Sequence, residues 1–230
     1  MYALYTEIGG VMRINIAHSV RQYVTHQRFG KVFTFEQIID RKKLISKANA
    51  VSAEMVRLMS EGVVKRVGKG TYYRPKVSRF GEIPVDPEEV IKTITSTKKA
   101  EYVLASTSAM NALGLSTQLP MVYKYFVTAR IRTDFYHLPI KLEYKESLGK
   151  FTKHLHIQNI DDRKNALLLW SCLTGLNANN FEKYEDKIHY IFISLLSLDA
   201  QQAFLQALPK SMEWITVKLE NKNESIYSIK

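Results

Sequence analysis

The stretch SKANAVSAEMVRLMSEGVVKRVGKGTYYR, residues 46–74, decides the fold. Ala48, Val51, Met55, Leu58 and Met59 recur at helical spacing, which predicts a helix over about 47–61 stopped by Gly62. After Gly62 the period becomes strand-like. Val63–Val67 reads as a strand, Gly68-Lys69-Gly70 as a turn, and Thr71–Arg74 as a returning strand that ends at Pro75. Upstream, Ile14, Ala17, Val20, Tyr23 and Val24 predict a first helix of about 14–26. Phe29–Phe33 fits a short strand. Thr34 with Gln37 three residues later is a capping-box pattern that opens a short second helix. The order helix, short strand, helix, helix, hairpin is the layout of a winged helix-turn-helix, whose third helix enters the DNA major groove.

With its core stripe turned inward, the third helix presents Ser46, Lys47, Asn49, Ser52 and Arg57, with Ala50 and Ala53 between them. Residues at the N-terminal end of such a helix reach base edges. Asn pairs bidentately with adenine, and Lys donates to guanine or phosphate. Small residues let the helix sit close to the groove floor. The bland alternative is an ordinary solvated face. The hairpin argues against it: Lys65, Arg66, Lys69 and Arg74 cluster within ten residues, with Lys69 at the tip. Such a wing contacts phosphates or the minor groove and makes binding salt-sensitive. Arg41, Lys42, Lys43 and Thr34 add expected phosphate contacts near the second helix, against the alternative of a solvated charged turn. Tyr72 and Tyr73 either close the core of the winged unit or stack on bases.

Charge supports a polyanionic partner. The 230 residues carry a formal net charge of +11. Residues 1–80 hold 15 Lys/Arg against 5 Asp/Glu, whereas 81–230 hold 18 against 17. The excess therefore lies in the first third, where the predicted reading helix and wing lie.

These residues also resemble a known family. Ser46–Val51, Arg57-Leu58 and Glu61–Tyr72 are similar to the winged helix of the AbiEi-like antitoxins, transcriptional regulators of type IV toxin–antitoxin systems. Ser106–Pro120, containing Gly114-Leu-Ser-Thr-Gln-Leu-Pro120, resembles that family's Ala/Leu-rich helix and Ser-Thr-Gln-x-Pro loop, and Val122–Thr128 its following strand. The resemblance covers about 14–145; Met12 therefore becomes a candidate biological start. It implies repression of the chain's own operon through double-stranded promoter DNA. It also implies a C-terminal region that counters a nucleotidyltransferase toxin. The alternative is a winged-helix regulator with no toxin partner, whose C-terminal region dimerises or senses a ligand.

The fold class expected is α+β. A winged helix-turn-helix occupies 1–75, a linker 76–86, and a C-terminal region 87–230 that is α+β to about 150 and helical beyond. Pro75, Gly81, Pro84 and Pro87 mark the linker. Asp86 caps a helix opening at Pro87 and running to about Thr95. Tyr102–Leu104, Tyr123–Ala129, Tyr136–Pro139 and Lys141–Tyr144 read as strands, and Ser106 or Thr107 as the cap of a helix ending at Gly114. Tail helices are expected at about 163–174, 181–197, 200–208 and 210–220. The stripe Ile188, Ile191, Phe192, Leu195 and Leu196 is either core or a partner-binding face.

Chemistry is not expected. The single Cys172, in an apolar run, excludes a disulfide scaffold, fits a cytoplasmic setting, and reads as a buried inert thiol. His154 and His156 would share one strand face, but no further ligands stand at metal-site spacing. No nucleophile elbow or phosphate-binding loop is present. No metal, cofactor or enzymatic role is therefore expected. The longest apolar run, Tyr190–Leu198, falls far short of the about 20 residues of a membrane span. The acidic, non-basic start makes a secretory signal unexpected.

Overall fold

The computed structural model describes residues 15–227, apart from the side chains of 221–227. Met12 and Ile14 lie outside the described residues. The chain is α+β and divides into two units: one runs to Lys99 and includes Arg132–Leu138, the other holds Ala100–Ile131 and Pro139 onward.

In the first unit, the Asn15 side chain accepts from His18 N at 3.0 Å and starts α1 (Ile16–Thr25). Strand β1 (Val32–Thr34) runs straight into α2 (Phe35–Lys42). The capping box forms as predicted: Gln37 N donates to Thr34 Oγ1 at 3.3 Å and Thr34 N to Gln37 Oε1 at 3.0 Å. Lys43 ends α2 in the left-handed region at φ 52°. A 3-10 turn, Ile45–Lys47, leads into α3 (Ala48–Ser60), which buries Val51, Met55 and Leu58. Each such side chain contributes about 1.5–3 kcal/mol by leaving water.

Strands β2 (Lys65–Gly68) and β3 (Thr71–Tyr73) form the expected hairpin, and β3 pairs antiparallel with both neighbours in the order β1-β3-β2. Phe33 lies between Tyr23 and Tyr72, at ring distances of 5.8 and 6.2 Å. Tyr72 thus belongs to the core formed with Val20, Val24, Ile38 and Met55. The short strand begins at Val32, later than Phe29, because Gly30 turns the chain at φ 80°.

Residues 76–83, read as part of a linker, are ordered as a second hairpin, β4 (Lys76–Ser78) with β5 (Gly81–Ile83). Three-residue strands are too short to show alternation, and Gly81, at φ 107°, marked the turn and not a loose segment. Asp86 caps α4 (Pro87–Thr97) by accepting from Glu88 N at 2.9 Å, with Pro87 in the first turn. This helix groups with the first unit, and Glu89 pairs with Lys31.

The second unit holds the sheet β6-β7-β8: β6 (Tyr102–Leu104) is antiparallel to β7 (Tyr123–Val127), and β8 (Ile140–Tyr144) is parallel to it. Tyr136–Pro139 is not a strand. Phe135 beside it forms an isolated bridge to Gly68, Tyr136 N donates to Val67 O at 2.8 Å, and Pro139 O accepts from Tyr123 N at 2.7 Å. Helix α5 (Ser106–Ala112) is capped by neither hydroxyl; Ala105 holds the cap position, and Ser106 Oγ stands 3.5 Å from Thr174 Oγ1.

The tail is helical: α6 (Glu146–His154), α7 (Ile160–Leu173), α8 (Ala178–Glu182), α9 (Glu185–Leu195), α10 (Leu198–Ala207) and α11 (Glu213–Tyr227). The expected single helix 181–197 breaks at Lys183-Tyr184, where Phe181 turns fully into the core against Trp214. Ile188, Ile191, Phe192 and Leu196 are buried, so most of that stripe is core. His154 closes α6 in place of the expected strand, and both it and His156 are exposed.

Candidate nucleic-acid interface

The first unit gathers the basic residues singled out above, in two kinds of setting. One group is free to meet a ligand. Ser46, Lys47, Asn49 and Ser52 are exposed on α3 and the turn before it, opposite Val51, Met55 and Leu58. Lys69 is exposed at the hairpin tip, where Gly70 takes φ 67°. Arg41 and Lys43 are exposed at the end of α2. Lys42 is not among them: it is half-buried and donates to Gln22 Oε1 at 3.2 Å.

The second group carries internal tasks. Thr34 is buried, and its hydroxyl caps α2. Arg74 donates to the carbonyls of Thr25 at 2.7 Å and Gln27 at 3.0 Å, and its guanidinium stacks 4.1 Å over Phe29. It thereby closes the C-terminal end of α1. Lys65 pairs with Glu82, which also accepts from the Tyr73 hydroxyl at 2.6 Å. These two donors hold the Glu82 carboxyl below the usual carboxylate range, Lys65 most strongly. Burial first, and Glu82 second, push the Tyr73 phenol up. Arg66 is intermediate: its Nε donates to Gly68 O at 3.2 Å and it stacks 5.7 Å from the Tyr136 ring, while remaining exposed. Arg57 reaches Glu54 at 3.4 Å but stays 69% exposed.

Residue-by-residue reading missed Glu54. It is 3% exposed in the middle of α3, and its carboxylate is met by Arg21 at 3.1 Å and by Arg57. Arg21 also grips Glu61 at 2.7 Å, which raises the Arg21 pKa and lowers that of Glu61. The ion-pair cluster ties α1 to α3. Its partners are 33 and 40 residues apart, so no local pattern could announce it. Ile45 and Val56, both exposed, were likewise passed over because they sit off the core stripe.

In the second unit, the Gly114–Pro120 loop lines an open cleft of about 700 Å³ with Met110, Tyr184 and Lys187. Leu119, in that lining, is exposed, as is Met121 just past the loop in sequence. Cys172 is buried in α7, and burial pushes its thiol up to about 12. Among the described residues no group of three or more His, Cys, Asp or Glu side chains could hold a metal ion, and no helix is long and apolar enough to cross a membrane.

In comparison with known families, residues 19–134, just over half of the chain, fit the model described as a family of unknown function (DUF6088). No curated protein matches.

Proposed function

We propose that this chain, which belongs to DUF6088, a family of unknown function, is a double-stranded-DNA-binding regulator whose first unit works as a winged helix-turn-helix. The carrying observation is the exposed face Ser46, Lys47, Asn49 and Ser52, standing with Lys69 on a unit whose sheet order is β1-β3-β2. Helix α3 would lie in the major groove with Asn49 and Lys47 toward the bases. Lys69, Arg66, Arg41 and Lys43 would meet phosphates on either side. Thr34, Arg74 and Lys65 would hold that surface in shape through their bonds within the first unit. Together with the family likeness read from the sequence, this favours an AbiEi-like antitoxin. In that reading the chain acts in the cytoplasm, represses its own operon, and counters a nucleotidyltransferase toxin through the second unit. No catalysis is assigned to the chain.

The test is fluorescence anisotropy against the DNA upstream of its own reading frame and a scrambled duplex, across a salt series. Tighter binding to the upstream duplex, weakening as salt rises, supports the reading. Absence of any salt-sensitive binding overturns it. Lys47→Glu with Lys69→Glu removes one cation aimed at the bases and one aimed at phosphate, so affinity should fall and the slope of log affinity against log salt should flatten by about 1. An unchanged slope in the folded double variant removes this face from consideration.

The second reading, a regulator without a toxin partner, is favoured by the cleft beside the Gly114–Pro120 loop, which offers room for a ligand. Co-expression with the neighbouring reading frame separates the two: rescue from a toxic product supports the antitoxin reading, and the lack of any toxic product supports the second.

A further inference from the structure

Resting on the DNA-binding reading, we propose that the α3 face reads thymine methyl groups, and so A·T pairs, through Ile45 and Val56 on either side of Asn49. Ile45 is 79% exposed and Val56 57% exposed, although both are large aliphatic side chains. Helix α3 already has its buried stripe in Val51, Met55 and Leu58, and Val56 points away from it. Residues 49, 52, 53 and 56 follow the spacing of one face of α3, Ile45 stands in the 3-10 turn just before it, and all five are exposed. The face therefore runs aliphatic, amide, small, small, aliphatic.

The major groove supplies a matching surface. Its one apolar group is the thymine C5 methyl, and the paired adenine presents N6 and N7 to an asparagine amide. Ser52 and Ala53 leave room for the helix to approach the bases. Charge selects a polyanion as occupant. The only carboxylate between residues 45 and 60 is Glu54, which is turned inward and met by Arg21 and Arg57. Lys47 and Arg57 flank the stripe and are exposed. Two copies of this face would bring like charges together, which opposes a dimer formed through it.

The test replaces dT by dU throughout the upstream duplex, which removes the methyls and leaves pairing, phosphates and every hydrogen-bonding edge in place. Wild-type affinity should fall about fourfold for each contacted methyl. Ile45→Ala with Val56→Ala should bind the dT duplex about as weakly as wild type binds the dU duplex, and should not distinguish the two. Ile45→Ala alone repeats the comparison without altering α3 itself. Equal wild-type affinity for both duplexes overturns the proposal, as does full discrimination retained by the variants. Both of those results leave DNA binding standing. Failure of the wild type to bind any duplex in a salt-sensitive way overturns the DNA reading itself.

Discussion

Glu82 shows how one carboxylate can organise a surface. It accepts from Lys65 and from the Tyr73 hydroxyl, and so pins the β4–β5 hairpin to the strands that flank the basic tip. Lys65 and Tyr73 hold its pKa low, so the stabilisation is complete above the ordinary carboxylate value and is lost as pH falls through the folded value. Lys65 and Glu82 are both partly solvated, which limits the contribution to about 0.5–1 kcal/mol. Glu82→Gln should therefore lower the urea midpoint at about pH 7, and the difference from wild type should vanish toward about pH 3. A difference independent of pH would assign the effect to shape and not to charge. Arg74 illustrates the same scale from the other side. A cation in a basic cluster looks like a phosphate ligand, yet its guanidinium is occupied by two carbonyls and an aromatic ring.

Among the elements, α2 and α3 are the most local in origin. The capping box and the Val51, Met55, Leu58 stripe are written within a few residues, and the structure follows both. The β2–β3 hairpin was also legible, but its irregularity was not. The register shifts between Arg66 and Gly68, and residues 133–135 lie directly against Gly68. A Cβ there would stand 2.8 Å from Thr133 Cγ2 and 3.0 Å from the Asp134 carbonyl oxygen. The carbonyl belongs to backbone and cannot swing aside. Gly68→Ala should cost about 1–3 kcal/mol in a urea titration. Gly62→Ala is a useful contrast: it meets nothing within 4 Å but sits at φ 71°, so its cost would arise from backbone strain alone. A neutral Gly68→Ala would mean that 133–135 does not rest on the hairpin in solution.

For the molecule as a whole, two separate apolar cores are the governing fact. One is built around Phe33 and α3, the other around Phe151, Trp170, Phe192 and Phe204. The excess positive charge lies in the part of the chain that builds the first. The second carries its own reporter in Cys172. Buried and with its thiol pushed up to about 12, it should resist iodoacetamide at about pH 8 in the folded protein and react once the helices around it open. Alkylation at the rate of a free thiol under native conditions would contradict the buried placement. Alkylation that rises with urea would follow the unfolding of the second unit alone.

The sequence by itself determined the pieces whose cause is local. These are helices α1 to α3 and the β2–β3 hairpin, the caps at Thr34 and Asp86, the mainly helical tail, and the placement of charge in the first third. Periodicity, caps and turn glycines act over a handful of residues, so they can be read in order. The tertiary structure decided what depends on residues far apart. It turned Glu54 inward against Arg21, assigned Arg74 and Lys65 to internal partners, ordered 76–83 as a hairpin, and brought 132–138 back to the first unit. It also split one predicted tail helix and left Tyr136–Pro139 without a strand, next to an isolated bridge from Phe135 to Gly68. A side chain's availability depends on what long-range packing brings beside it. The chain reveals its stock of cations in sequence, but only the fold reveals which of them remain free.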